Sequence, residues 1–181
     1  MSKRFVVLGI LAFLIADCEP VGQTLEKTEQ AEERIPTQES WNTTVRINSV
    51  GKETVKARAA YSASFNDPQE MVFIGDVQLD FFDQAGEHSS TMSADSGKID
   101  EKRQLFIARG NVHVVSDSGM TLATSVLFWN ENKEVIFTDQ RVVFTSDTDT
   151  LYGIGFESEA NLENWTITQP TGVTYREMTD E

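Results

Sequence analysis

From Trp41 onward the chain alternates apolar and polar residues with a period of two. Val45 and Ile47 share one parity, and Gly51 marks a turn after them. Val55, Ala57 and Ala59 alternate with Lys56 and Arg58, and Val77, Leu79 and Phe81 alternate with Gln78 and Asp80. Val112 and Val114 flank His113; Leu122, Val126 and Phe128 share a parity; Val142 and Phe144 continue the theme. Successive side chains on a strand point to opposite faces, so this pattern, rich in β-branched and aromatic residues, predicts half-buried strands. Turn-forming clusters separate them: Asn66-Asp67-Pro68, Asp83-Gln84-Ala85-Gly86, Ser116-Asp117-Ser118-Gly119 and Asn130-Glu131-Asn132-Lys133. No window of helical length carries an apolar stripe. The expected class is therefore all-β, with many short antiparallel strands in a sandwich, barrel or roll.

Parity also nominates an interior. Val77, Leu79, Phe81, Val112, Val114, Leu122, Val126 and Phe128 are expected to point inward. Phe106 and Trp129 have the opposite parity to several neighbours and are expected to face outward or to cap an opening. His113, between two valines, is expected on the outer face. An internal repeat reinforces the strand reading. Gly75-Asp76-Val77-Gln78-Leu79 matches Gly110-Asn111-Val112-His113-Val114, 35 residues later, and a third copy without its glycine begins near Arg141-Val142-Val143. Such a unit cannot bury its apolar face alone, whereas stacked copies can.

The segment before Trp41 has another character. Lys3 and Arg4 precede an apolar run of twelve residues, Phe5 to Ala16. A bilayer core needs about 20 helical residues to cross, so this run has the length of a secretory signal and not of a membrane span. The single cysteine, Cys18, stands directly after it. Leu14-Ile15-Ala16-Asp17-Cys18 resembles the lipobox at which lipoproteins are cut and lipidated on cysteine, although Asp17 occupies a position that normally holds Gly, Ala or Ser. Residues 19–40 hold six Glu and almost no large apolar side chain, the composition of a solvated tether. The expected organisation is a lipoprotein signal peptide over residues 1–17, a lipid anchor and polar linker over 18–40, and one β-domain over 41–181.

Charge narrows the function. The chain carries a formal net charge of −14, and loss of residues 1–17 leaves 13 basic against 28 acidic residues. Such a surface repels nucleic acid, and an anionic lipid would have to be held mainly by apolar contacts. Catalytic constellations are absent from the pattern. The two histidines, His88 and His113, have no metal-ligand spacing to another His or Cys, and no thiol follows Cys18. Asp95, Asp100 and Glu101 read as turn and surface residues. Gly153-Ile154-Gly155 lacks the strand-to-helix setting that lets glycines cradle phosphate. No enzyme, cofactor or metal is expected.

An ordered series of segments carries a family resemblance. Ile35-Pro36-Thr37-Gln38-Glu39-Ser40-Trp41 is followed by Val77 to Asp83, by Ser93-Ala94-Asp95-Ser96-Gly97-Lys98-Ile99-Asp100, by Gly110-Asn111-Val112, and by Tyr152-Gly153-Ile154-Gly155-Phe156-Glu157-Ser158. Together they resemble the LptC family of lipopolysaccharide export proteins, in its lipoprotein-anchored form, over residues 35–175. The resemblance implies a taco-like β-jellyroll with an apolar groove. It implies a place on the periplasmic side of the inner membrane. It also implies three kinds of partner: lipopolysaccharide through its lipid A acyl chains, the membrane subunits of an ABC transporter, and a periplasmic jellyroll bridge protein. On that reading the eight inward residues are the lipopolysaccharide-binding interior and Cys18 is the membrane anchor. The alternative is a lipid-anchored structural or adhesive β-domain, because a packed core and a lipid groove share one alternation pattern.

Overall fold

A computed structural model describes residues 34–49 and 51–175. The expected signal peptide, Cys18 and all of the expected linker before Arg34 lie outside the described residues. The described part is a single antiparallel sheet of nine strands in sequential order. They are β1 (Gln38–Ser49), β2 (Lys52–Asn66), β3 (Gln69–Phe82), β4 (His88–Asp100), β5 (Leu105–Ser116), β6 (Thr121–Asn130), β7 (Val135–Thr145), β8 (Asp149–Glu159) and β9 (Thr166–Tyr175). The four turn clusters expected from sequence each fall at a strand junction, with Asn66, Ser116 and Asn130 closing their strands. The class is all-β, a jellyroll-like fold in which one open sheet closes on itself. β1 and β9 are its edges.

What folds the sheet is a line of bulges. Pairing slips between Arg58 and Tyr61 on β2, Ile74 and Val77 on β3, Ser93 and Ser96 on β4, Arg109 and Val112 on β5, Thr124 and Phe128 on β6, and Thr138 and Arg141 on β7. A bulge bends its strand and sharpens the local twist. Aligned across neighbours, these slips crease β2 to β7 near their middles, with Gly155 of β8 opposite the last of them, and fold one half of the sheet toward the other. The repeat seen in sequence is this crease. Gly75-Asp76 and Gly110-Asn111 are both left-handed pairs, with φ of 73° and 49° in the first and 76° and 44° in the second. Glycine followed by Asp or Asn suits that geometry, because these residues tolerate positive φ best. The third copy, on β7, leaves Asp139 and Gln140 unpaired, and its glycine stands opposite on β8 as Gly155, with φ of 78°.

The crease also sets parity. β3, β5 and β7 insert one extra residue there and keep the same parity on both sides: Phe106, Ala108, Val112 and Val114 of β5 are all buried. Even strands lack the extra residue and switch. On β6, Leu122 is buried before the crease and Leu127 and Trp129 after it.

Candidate functional site

Six of the eight expected interior residues point inward. Val77, Leu79, Phe81, Val112, Val114 and Leu122 are between 0% and 2% exposed. Val126 and Phe128 do not join the core, and the expectation of one parity along β6 is corrected by the switch at the crease. Val126 pairs with exposed Arg109, and Phe128 stacks on Phe137 of the outer face with ring centroids 5.2 Å apart. Two further expectations are corrected, Trp129 by the same switch and Phe106 because it shares the parity of Val112 and Val114 on β5. Phe106 and Trp129 are 1% and 4% exposed and belong to the core. His113 is exposed on the outer face, as its parity implies.

Register joins the inward residues into rows that run across the strands. One row passes through Val45, Ala57, Leu79, Met92, Val114, Leu122, Phe144, Leu151 and Val173, one residue from each strand. Its middle, from Ala57 to Phe144, is 0–1% exposed, while Val173 at the β9 edge is 46% exposed. The interior is thus an apolar strip that leads from one sheet edge toward the other. Each fully buried side chain of this size contributes about 1.5–3 kcal/mol.

The two halves meet at a mouth. The ring of Phe81 on β3 packs edge-on against that of Trp129 on β6, with centroids 5.7 Å apart. Beside this pair lies a cleft of about 580 Å³, walled by Asp83 and Gln84, by Lys133 and Glu134, and by Ala160 and Asn161. That size falls in the usual range for small-molecule sites, about 300–1,000 Å³. A smaller cleft of about 250 Å³, lined by Ile47, Ile99, Leu105 and Phe106, lies on another side of the same Trp129. Trp129 thus borders both clefts, with its ring buried in the core between them. Both signs of charge rim the larger cleft, so charge selects little there. Lys52 donates to the carbonyl of Gln84 at 2.5 Å across its edge.

One charged cluster lies outside the mouth. Glu70 is 6% exposed on the outer face and pairs with Arg34 at 2.5 Å and with Lys98 at 3.0 Å. Burial pushes the Glu70 carboxyl up, and the two cations more than offset it, leaving it below its ordinary range. The Arg34 guanidinium also lies 4.2 Å over the Phe65 ring. The first described residue of the chain is thus fixed to the domain.

Among the described residues, no group of three or more His, Cys, Asp or Glu side chains is arranged to hold a metal ion. His88 pairs with Asp117 at 2.9 Å on the surface. No helix of the described residues is long and apolar enough to cross a membrane.

The interior residues that alternation missed stand alone among polar neighbours, or lie beyond a break in period. Met92 sits among serines, Leu127 follows the crease, and Leu162 lies in a loop. A family model described as "Lipopolysaccharide-assembly, LptC-related" matches residues 5–175, nearly the whole chain. No curated protein matches it.

Proposed function

The chain belongs to the LptC family and so serves lipopolysaccharide transport; from that premise we propose that it accepts lipopolysaccharide from an inner-membrane ABC transporter and relays it through its interior to a periplasmic bridge protein. The observation that carries this reading is the apolar row from Val45 to Val173. It crosses all nine strands and emerges at an unpaired edge. Acyl chains need a dry apolar path, worth about 0.8 kcal/mol for each buried CH₂. Lipid A acyl chains would lie against Val77, Leu79, Phe81, Val112, Val114 and Leu122, with the sugars left in water at the mouth. Cys18 would anchor the chain to the inner membrane by its lipid. The driving energy would come from ATP hydrolysis in the transporter.

A second reading is supported by the tightness of the same core. A lipid-anchored adhesive β-domain would keep these side chains permanently packed. Photo-crosslinking residues placed one at a time at Val77 and Val112, with Gln78 and His113 as controls on the opposite face, separate the two. Relay predicts lipopolysaccharide crosslinks in cells at the inward pair alone, weakened when ATP is depleted. Crosslinks at none of the four, in a folded domain, would favour the adhesive reading.

A further inference from the structure

The connection between β8 and β9, Ala160 to Trp165, is built unlike a surface turn. Leu162 is 0% exposed and part of the core. It holds a φ of 65°, a conformation that costs a branched residue about 1–2 kcal/mol, and Asn164 follows at 51°. The loop returns across the mouth. The Ser90 hydroxyl of β4, itself 0% exposed, donates to the Ala160 carbonyl at 2.6 Å, joining elements 70 residues apart. The Trp165 ring lies 4.7 Å from that of Phe144 in the interior row. Within the loop, the Leu162 amide donates to Glu159 at 3.1 Å and the Glu163 amide to the Asn161 side chain at 2.9 Å. Ala160 and Asn161 form one wall of the larger cleft, beside Phe81 and Trp129.

We propose that this loop is a strap that gates the mouth, with Leu162 as its plug and the Ser90–Ala160 hydrogen bond as its latch, and that an acylated ligand enters the interior by displacing it. The inference rests on the lipid-relay reading and adds to it the element that opens. Three features suit a releasable closure. The plug is a single side chain whose place an acyl chain can take. The latch is one neutral hydrogen bond between the two halves of the folded sheet. The strained backbone at Leu162 relaxes once its side chain leaves. An acyl chain that replaces Leu162 restores the apolar contact, so opening is coupled to binding and is disfavoured without ligand.

The test is hydrogen exchange on the full chain with and without a dansylated undecanoic acid as the acyl probe. Probe binding should speed exchange of the Leu162 and Glu163 amides and leave the β5 amides unchanged. Ser90→Ala removes the latch and should tighten probe binding about three- to tenfold, the equivalent of one neutral hydrogen bond. Leu162→Ala should also bind more tightly, in protein shown to be folded by its circular dichroism. If wild type binds the probe while the strap amides stay protected, or if neither variant binds more tightly, the strap is not a gate and the relay reading survives. If wild type and both variants bind neither this probe nor lipid A, the relay reading fails and the strap proposal falls with it.

Discussion

The Phe106 ring of β5 lies over Gly97 of β4, so closely that a β-carbon on Gly97 would collide with it. Gly97 pairs with Ala108, and Ile99 with Phe106, so the ring reaches diagonally across the strand pair. Gly97 is not among the positive-φ glycines, and its need is for space. Phe106 fills that space and meets Phe73 with ring centroids 5.9 Å apart.

Gly97→Ala is therefore expected to destabilise the domain by about 1–3 kcal/mol through overpacking. Phe106→Leu alone leaves a cavity, but in the double variant the two costs should partly cancel. Urea unfolding of the four proteins in the cycle measures this. Strict additivity would show that the ring and the glycine do not share a constraint.

Much of the fold was legible because apolar and polar residues alternate over Val55–Ala59 on β2, Val77–Phe81 on β3 and Val112–Val114 on β5. The residues that escaped did so for physical reasons. β4 places Ser90, Ala94 and Gly97 inward with Met92 as the one large apolar side chain among them, so its alternation carries almost no hydrophobic signal. β6 reads as one parity through Leu122, Val126 and Phe128, yet the crease resets it, and register is a property of the strand pair and not of one sequence. The Gly-Asp and Gly-Asn pairs of the repeat coincide with that crease on β3 and β5, but the repeat read as sequence indicated strands and not a bend. Leu162 lies in a polar loop with no period, and nothing local marks it as core.

The Glu70 cluster predicts a pH dependence. Its folded carboxyl lies below the unfolded value, held there by Arg34 and Lys98 against the effect of burial. Its contribution is then complete above the ordinary glutamate value of about 4.3 and is lost as pH falls through the lowered one. Glu70→Gln should cost about 1–2 kcal/mol at neutral pH and much less in acid, where the wild-type carboxyl is itself protonated. Urea midpoints at the two pH values test this. An equal loss at both would mean that the side chain acts by packing alone.

The anchor is tested separately. Cys18 is the only cysteine and directly follows the twelve-residue apolar run and Asp17. Cys18→Ala should abolish incorporation of a clickable fatty acid and leave unprocessed precursor. Equal labelling of the two proteins would remove the lipid anchor from the proposal.

The β9 edge is expected to receive the bridge protein. An unpaired edge exposes a row of backbone donors and acceptors, and proteins usually blunt such edges with charge. β9 is interrupted by Pro170 but carries no charged residue from Thr166 to Tyr175 in a strongly acidic chain, whereas β1 carries Glu39 and Arg46 and no proline. The apolar row also surfaces there at Val173, so a strand added to β9 would extend both the sheet and the path. Deleting everything after Phe156 would test this poorly, since it removes Leu162 from the core as well. Thr171→Lys with Val173→Lys is the cleaner change, because both positions are exposed. Thr171→Lys should move stability by no more than about 0.5 kcal/mol, and Val173→Lys, at a half-exposed end of the interior row, by about 1 kcal/mol. Capture of the bridge protein should fall at least tenfold, while Asn48→Lys on β1 leaves it intact. If the β9 variant captures the bridge normally and the β1 variant does not, the direction of the relay is reversed and β1 is the exit.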